Sequence, residues 1–136
     1  MKTANSSFTV STGKRNEMVD ITGKVEKAVA DAGVSDGSVI IYCPHTTAAI
    51  TINENADPDV VHDILLTLSA LLPQDRAGYL HSEGNSDSHV KSSLVGCSET
   101  VIISGGKMQL GTWQGIYFCE FDGPRRRTVI VRITGQ

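Results

Sequence analysis

An α+β fold with a largely antiparallel sheet is what this sequence predicts, and three observations lead there. Short alternating or β-branched runs recur at Ser38–Tyr42, Thr46–Asn53, Thr100–Ser104, Ile116–Phe121 and Arg127–Ile133. Apolar residues at helical spacing are confined to three segments between those runs. Strands that mostly follow one another in sequence, with helices inserted between groups, give the α+β pattern. The strand–helix–strand start also permits one parallel pair.

The chain has 136 residues, enough for one domain, 1–136, with a substantial core. Hydrophobic content of 40% and charged content of 20% are those of a globular protein in water. A formal net charge of −3 argues against a nonspecific nucleic-acid binder, which carries a basic face. Three cysteines without paired spacing make a poor disulfide framework. The stretch Met1–Ser7 lacks an apolar signal core, and no run approaches a membrane span. A reducing, cytoplasmic setting with no nucleic acid and no membrane partner is therefore expected.

In chain order, Phe8 and Val10 alternate with polar neighbours in Thr3–Ser11, which predicts an N-terminal strand at a sheet edge. Gly13-Lys14-Arg15 makes a turn. Asp20 caps a helix whose inward residues are Ile21, Val25, Ala28, Val29 and Ala32, and Gly33 stops it. Ser38–Tyr42 reads as a buried strand. Pro44 interrupts it, with a kink that presents His45. Thr46–Asn53 resumes as a strand. Asp57-Pro58-Asp59 then starts a helix with the stripe Val60, Val61, Ile64, Leu65, Leu68, Leu71 and Leu72, ended by Pro73. After a loop over 74–85, a third helix runs from Ser86 to about Gly96. Its inward residues are read as Val90, Leu94 and Val95, and Asp87 and Lys91 as an exposed four-apart pair. Gly105-Gly106 turns the chain, Leu110–Gly115 bends it, and Asp122-Gly123-Pro124 turns it into the last strand.

The stretch Cys43–Asp59 is where chemistry is expected. His45 opens the strand, Asn53 and Glu54 close it, and Asp57 begins the helix. A second polar cluster, His81–His89, places two histidines around Glu83 and Asp87. His45, His81 and His89, with these carboxylates, are candidates to converge on a divalent metal, zinc or a similar ion. The plainer reading is that each histidine caps or hydrogen-bonds within a loop. Arg125, Arg126 and Arg127 are able to grip phosphate, although in a strand at most two point to one side. A solvated basic edge explains them as well. Trp113 is placed either to stack on a ligand ring or to plug a core or a subunit interface. Cys43 and Cys119 read as small buried hydrophobes.

Three motifs together resemble the YjbQ family: His45 through Asp59, His81-Ser82-Glu83-Gly84 with Asp87-Ser88-His89-Val90-Lys91, and Leu110-Gly111-Thr112-Trp113-Gln114-Gly115-Ile116-Tyr117. The resemblance runs from the first strand to the last. It implies a β-sandwich-like core with two to three helices, assembly as a homotrimer, and a weak, secondary thiamine-phosphate synthase activity credited to some members. That reaction joins a pyrimidine methyl diphosphate to a thiazole phosphate and releases diphosphate. Carried onto this sequence, it implies His45, Asn53, Glu54, Asp57 and His89 as catalytic residues. It implies Glu83, Asp87, Trp113, Arg125, Arg126 and Arg127 on the small-molecule substrate, and zinc or magnesium with His45, His81 and His89 as ligands. The compact Asp122-Gly123-Pro124 turn departs from relatives that carry a longer loop there. Two other functions fit the same residues: a metal-dependent hydrolase or lyase acting on a phosphorylated small molecule, and a non-enzymatic trimeric metal- or ligand-binding module.

Overall fold

A computed structural model describes all residues 1–136. In chain order the elements are β1 (Lys2–Ser11), β2 (Glu17–Asp20), α1 (Thr22–Ala32), β3 (Gly37–Tyr42), β4 (Ala48–Glu54), α2 (Pro58–Leu71), α3 (Ser86–Val95), β5 (Ser98–Ser104), β6 (Lys107–Met108), β7 (Gln114–Glu120) and β8 (Arg126–Gly135). They form a five-stranded sheet of order β1-β8-β3-β5-β6 and a three-stranded sheet of order β2-β7-β4. Every pairing is antiparallel. The parallel pair that the first strands permitted does not form, because β8 inserts between β1 and β3. No helix is long and apolar enough to cross a membrane.

The core lies between the two sheets, where alternate residues of each strand meet. Val39 and Ile41 of β3, Ile50 of β4, Ile116 and Phe118 of β7, and Val129, Val131 and Ile133 of β8 are all buried there. Val25 and Val29 of α1 join them, as the helical spacing predicts. Asp20 accepts the Thr22 N–H at 2.9 Å, and Gly33 closes the helix at φ 65°. β1 does lie at a sheet edge. β8 pairs with β1 along its whole length but with β3 only from Ile130 on, so Arg126 and Arg127 lie where the strand has one partner; Arg126 is exposed there and Arg127 is buried. Two short strands have too few apolar residues to announce themselves. β2 exists through its pairing with β7, and β6 through a hairpin turn in which Gly105 and Gly106 both take positive φ.

The other two helices depart from expectation. α2 starts as predicted, with the Asp57 carboxylate accepting the Asp59 N–H at 2.9 Å and Pro58 in the first turn. Yet none of its residues is buried. Val61 and Leu68 rest on the outer side of the three-stranded sheet, against Ala49, Tyr117, Cys119 and Phe121. That strip is too narrow to cover the stripe, and Leu66 and Leu71 are 60% and 63% exposed. Of the residues of α3 expected to face inward, Val95 does pack against the Ala49, Tyr117, Cys119 and Phe121 cluster, but the other two do not. Val90 and Leu94 are exposed, whereas Asp87, Ser88, Lys91 and Ser92 are buried. Small hydroxyls let the helix approach the sheet: Ser92 Oγ donates to the Ala48 carbonyl and Ser88 Oγ to the Phe121 carbonyl, both at 2.6 Å.

Candidate functional site

Alternation along two strands builds the most unusual feature of the molecule. Continuing the core-facing series Ile116 and Phe118 of β7 by two residues places Glu120 inward. The inward series Val129, Val131 and Ile133 of β8, extended two residues back, begins at Arg127. The two sheets meet at the Asp122–Arg125 corner, so this acid and base face each other. Glu120 is completely buried. Its Oε1 accepts from Thr12 Oγ1 at 2.8 Å and Arg127 Nε at 2.9 Å. Its Oε2 accepts from Arg127 Nη2 and from the N–H groups of Phe121 and Asp122, each of the last two at 3.1 Å. Arg127 Nη2 also reaches Thr47 Oγ1 at 2.9 Å. Burial alone would raise the Glu120 carboxyl, but these donors outweigh it and hold the group below its ordinary value.

A second network joins the first through residues 120–122. Asp87 is fully buried and takes a bidentate grip from Arg15, with bonds of 2.9 and 3.0 Å, and a third bond from Lys91 at 2.9 Å. Burial would push its carboxyl up, but Arg15 and Lys91 hold it down. The Asp87–Lys91 pair predicted to be exposed is thus buried, because Arg15 and Asn16 from the β1–β2 turn close over it. Asn85 donates to Asp122 Oδ2 at 2.8 Å, and Arg125 to the same oxygen at 3.1 Å. The Oδ1 of Asn85 is buried without a partner.

His45 lies in the crossover from β3 to β4, at this same end. It is half-buried, edge-on to Phe118 with ring centroids 6.5 Å apart, and its Nε2 accepts the Thr128 N–H at 2.9 Å. Burial and the nearby Arg127 charge both hold the imidazole below its ordinary pKa. His81 and His89 meet elsewhere, with centroids 5.4 Å apart, and His81 Nε2 stands 3.4 Å from Glu83 Oε2 on the surface. Within one chain no group of three or more His, Cys, Asp or Glu side chains is close enough to hold a metal ion. His45, His81 and His89 do not form such a group in the single chain, and His81 and His89 are the two donors that adjoin.

Asn53, Glu54, Asp57 and Trp113 stand at the far end of β4. The register pairs Ala48 with Glu120 and Glu54 with Gln114. Six residue steps of about 3.3 Å put the two ends about 20 Å apart. Asn53 Oδ1 accepts its neighbour's N–H, from Glu54, at 2.7 Å, and Asp57 caps α2. Trp113 is 62% exposed, and its carbonyl accepts the Asn55 N–H at 3.0 Å. Gly115 lets Asn55 lie against the β7 backbone, where a Cβ would come within 2.4 Å of Asn55 Nδ2. Of the three arginines, Arg127 is buried, Arg125 is held by Asp122, and Arg126 lines a surface cavity of about 520 Å³ with Ser11, Asp20 and Lys24. Cys43 and Cys119 are buried thiols, pushed up by burial to about 11 and about 12, in keeping with their reading as small hydrophobes.

The sequence profile described as UPF0047 protein YjbQ-like matches residues 6–136. The chain belongs to the UPF0047/YjbQ-like family. It is 59% identical over 128 residues to UPF0047 protein MJ1081 of Methanocaldococcus jannaschii, covering 94% of this chain and 92% of that protein. It is 53% identical over 126 residues to UPF0047 protein YugU of Bacillus subtilis, covering 93% and 96%. The crystal structure of a YjbQ/UPF0047-family protein from Clostridium acetobutylicum superposes with a TM-score of 0.93 at 54% identity, covering 95% of this chain and 99% of that one. That of a YbjQ-like protein from Sulfolobus solfataricus gives 0.95 at 33% identity, covering 99% of each.

In this YjbQ-like chain Glu120, Arg15, Thr12, Thr47, Asn85 and Asp122 are not among the site residues expected from the sequence, and Lys91 is expected only as an exposed partner of Asp87. A signal for one pair was present. Glu120 and Arg127 both occupy core-facing positions in otherwise apolar alternating strands, and a charged residue at such a position needs a partner. Arg15 carried no signal, since its partner Asp87 lies 72 residues away.

Proposed function

We propose that this YjbQ-like protein is a small-molecule enzyme whose site is the His45 end of β4, acting on a phosphorylated substrate. The observation that carries the reading is the gathering there of two fully buried carboxylates, Glu120 and Asp87, with their cations. Buried charges cost several kcal/mol each to desolvate, and groups with displaced pKa cluster at functional sites. The resemblance supplies the specific reaction, thiamine-phosphate synthesis as a secondary activity. The C–O bond to diphosphate breaks, diphosphate leaves with the electron pair, and the thiazole nitrogen forms the new C–N bond. Arg125, partly exposed beside Asp122 at the corner between β7 and β8, suits the departing anion.

A homotrimer belongs to the same proposal. Leu66 and Leu71 on α2, and Ile40, Tyr42, Ile102 and Ile130 on the outer side of the five-stranded sheet, are exposed apolar groups on two different faces. Two unlike faces suit a heterologous contact that closes into a ring. A zinc or magnesium ion, with His81 and His89 as the donors already adjacent, and a reducing cytoplasmic setting for three free cysteines, complete it.

The test is a coupling assay with the pyrimidine methyl diphosphate and the thiazole phosphate, run with and without a chelator. Product from the wild type, reduced at least about tenfold in a folded His45→Ala variant, is the expected result. No product would overturn the synthase reading. Chelator-sensitive release of phosphate from simple esters would replace it by a hydrolase, and ligand binding without turnover by a binding module.

A further inference from the structure

The hydrogen bond to His45 decides more than its position. β3 pairs with β8 as far as Tyr42 opposite Ile130. Continuing that register would set Pro44 opposite Thr128, but β3 has ended, and proline has no N–H to offer a ladder. The imidazole takes the vacated position. The Thr128 N–H, on a strand held from the other side by β1 with Thr9 opposite Thr128, donates to Nε2 at 2.9 Å.

A ring nitrogen that accepts an N–H does so through its lone pair and carries no proton. A neutral imidazole has one proton, which is then on Nδ1. The Thr128 bond is the only side-chain hydrogen bond His45 makes, and the ring is half-buried, so Nδ1–H is left for a ligand. Neither nitrogen has a lone pair free for a metal ion. We propose that His45 is a fixed, neutral hydrogen-bond donor, through Nδ1–H, to an anionic oxygen of the ligand, and is neither a metal ligand nor a proton acceptor. Burial and the Arg127 charge, which both disfavour the imidazolium, act in the same direction. A neutral imidazole held by its surroundings can polarise an oxygen without giving up its proton. The ligand class is a phosphate or diphosphate ester whose oxygen gains charge as a bond breaks. This rests on the reading that the ligand binds at the His45 end.

Two measurements on the whole protein separate the parts. Nitrogen-15 NMR of the histidine side chains near neutral pH, with His45 assigned by its absence from His45→Ala, reads the tautomer. The expected spectrum has His45 Nδ1 protonated and Nε2 unprotonated, and it stays so when zinc is added. A proton on Nε2, an imidazolium, or loss of the Nδ1 proton on adding zinc overturns the donor role. Inorganic diphosphate is then titrated against wild type, His45→Ala and His45→Asn. The expected result is a loss of roughly tenfold in affinity in His45→Ala, with part regained in His45→Asn, whose amide also donates. Unchanged affinity alongside the expected tautomer overturns the placement of the ligand instead.

Discussion

The two ends of β4 treat polar residues in opposite ways. At the start of the strand, Glu120 and Asp87 are fully buried and each takes several charge-assisted hydrogen bonds. At its end, the Asn53 and Asp57 side chains are exposed and accept only from nearby backbone, the N–H groups of Glu54 and Asp59. In sequence the second end is the more conspicuous, with four amide or carboxylate residues between Asn53 and Asp57. Polar density along a chain and polar commitment in a fold are therefore separate properties. Commitment is measured by burial, and partners distant in sequence supply it.

Mutations should separate the ends sharply. Glu120→Ala leaves Arg127 charged, buried and unpaired, and should cost about 3–5 kcal/mol in denaturant unfolding. A loss below about 1 kcal/mol would erase the contrast. Lys91→Met removes one of the three bonds to Asp87 while Arg15 keeps its two, so about 1.5–3 kcal/mol is expected by the same measurement. Acid acts on the same groups. Glu120 and Asp87 both titrate below their ordinary values when folded, so their contribution is complete above the unfolded carboxyl range of about 4. It is lost as pH falls through the lower folded values. Melting temperature should drop steeply there, and Glu120→Gln should flatten the drop. At the other end, Asp57→Ala removes only a helix cap and should cost about 1 kcal/mol. Trp113→Ala should change the unfolding free energy by no more than about 0.5 kcal/mol, and a larger effect at assembly-forming concentrations would show that the exposed ring is covered by another copy.

Much of the fold was legible because local rules and tertiary structure agree. The alternation of Val129, Val131 and Ile133, the spacing of Val25 and Val29, and the Asp57-Pro58-Asp59 start all recur in the structure as read. α3 was legible only in part: Val95 packs inward as its spacing indicates, but Val90 and Leu94 point outward, because the inward side is selected by the carbonyls of Ala48 and Phe121. No periodicity within ten residues announces those acceptors. The His45–Thr128 bond was hidden for a similar reason: it depends on where β3 leaves β8. Pro44 hinted at the departure, but what fills the place cannot be read from Pro44 itself.

The length of β4 has a genetic consequence. Its roughly 20 Å keeps the His45 and Asp57 ends from sharing a small ligand within one chain. If a site joins the His45 end of one subunit to the Asp57 end of the next, two inactive alleles, His45→Ala and Asp57→Ala, complement each other when co-expressed. Some contacts in the mixed assembly then unite two intact halves. A site confined to one end does not behave this way: the allele altered at the other end is active alone, and the altered site stays inactive in every mixture.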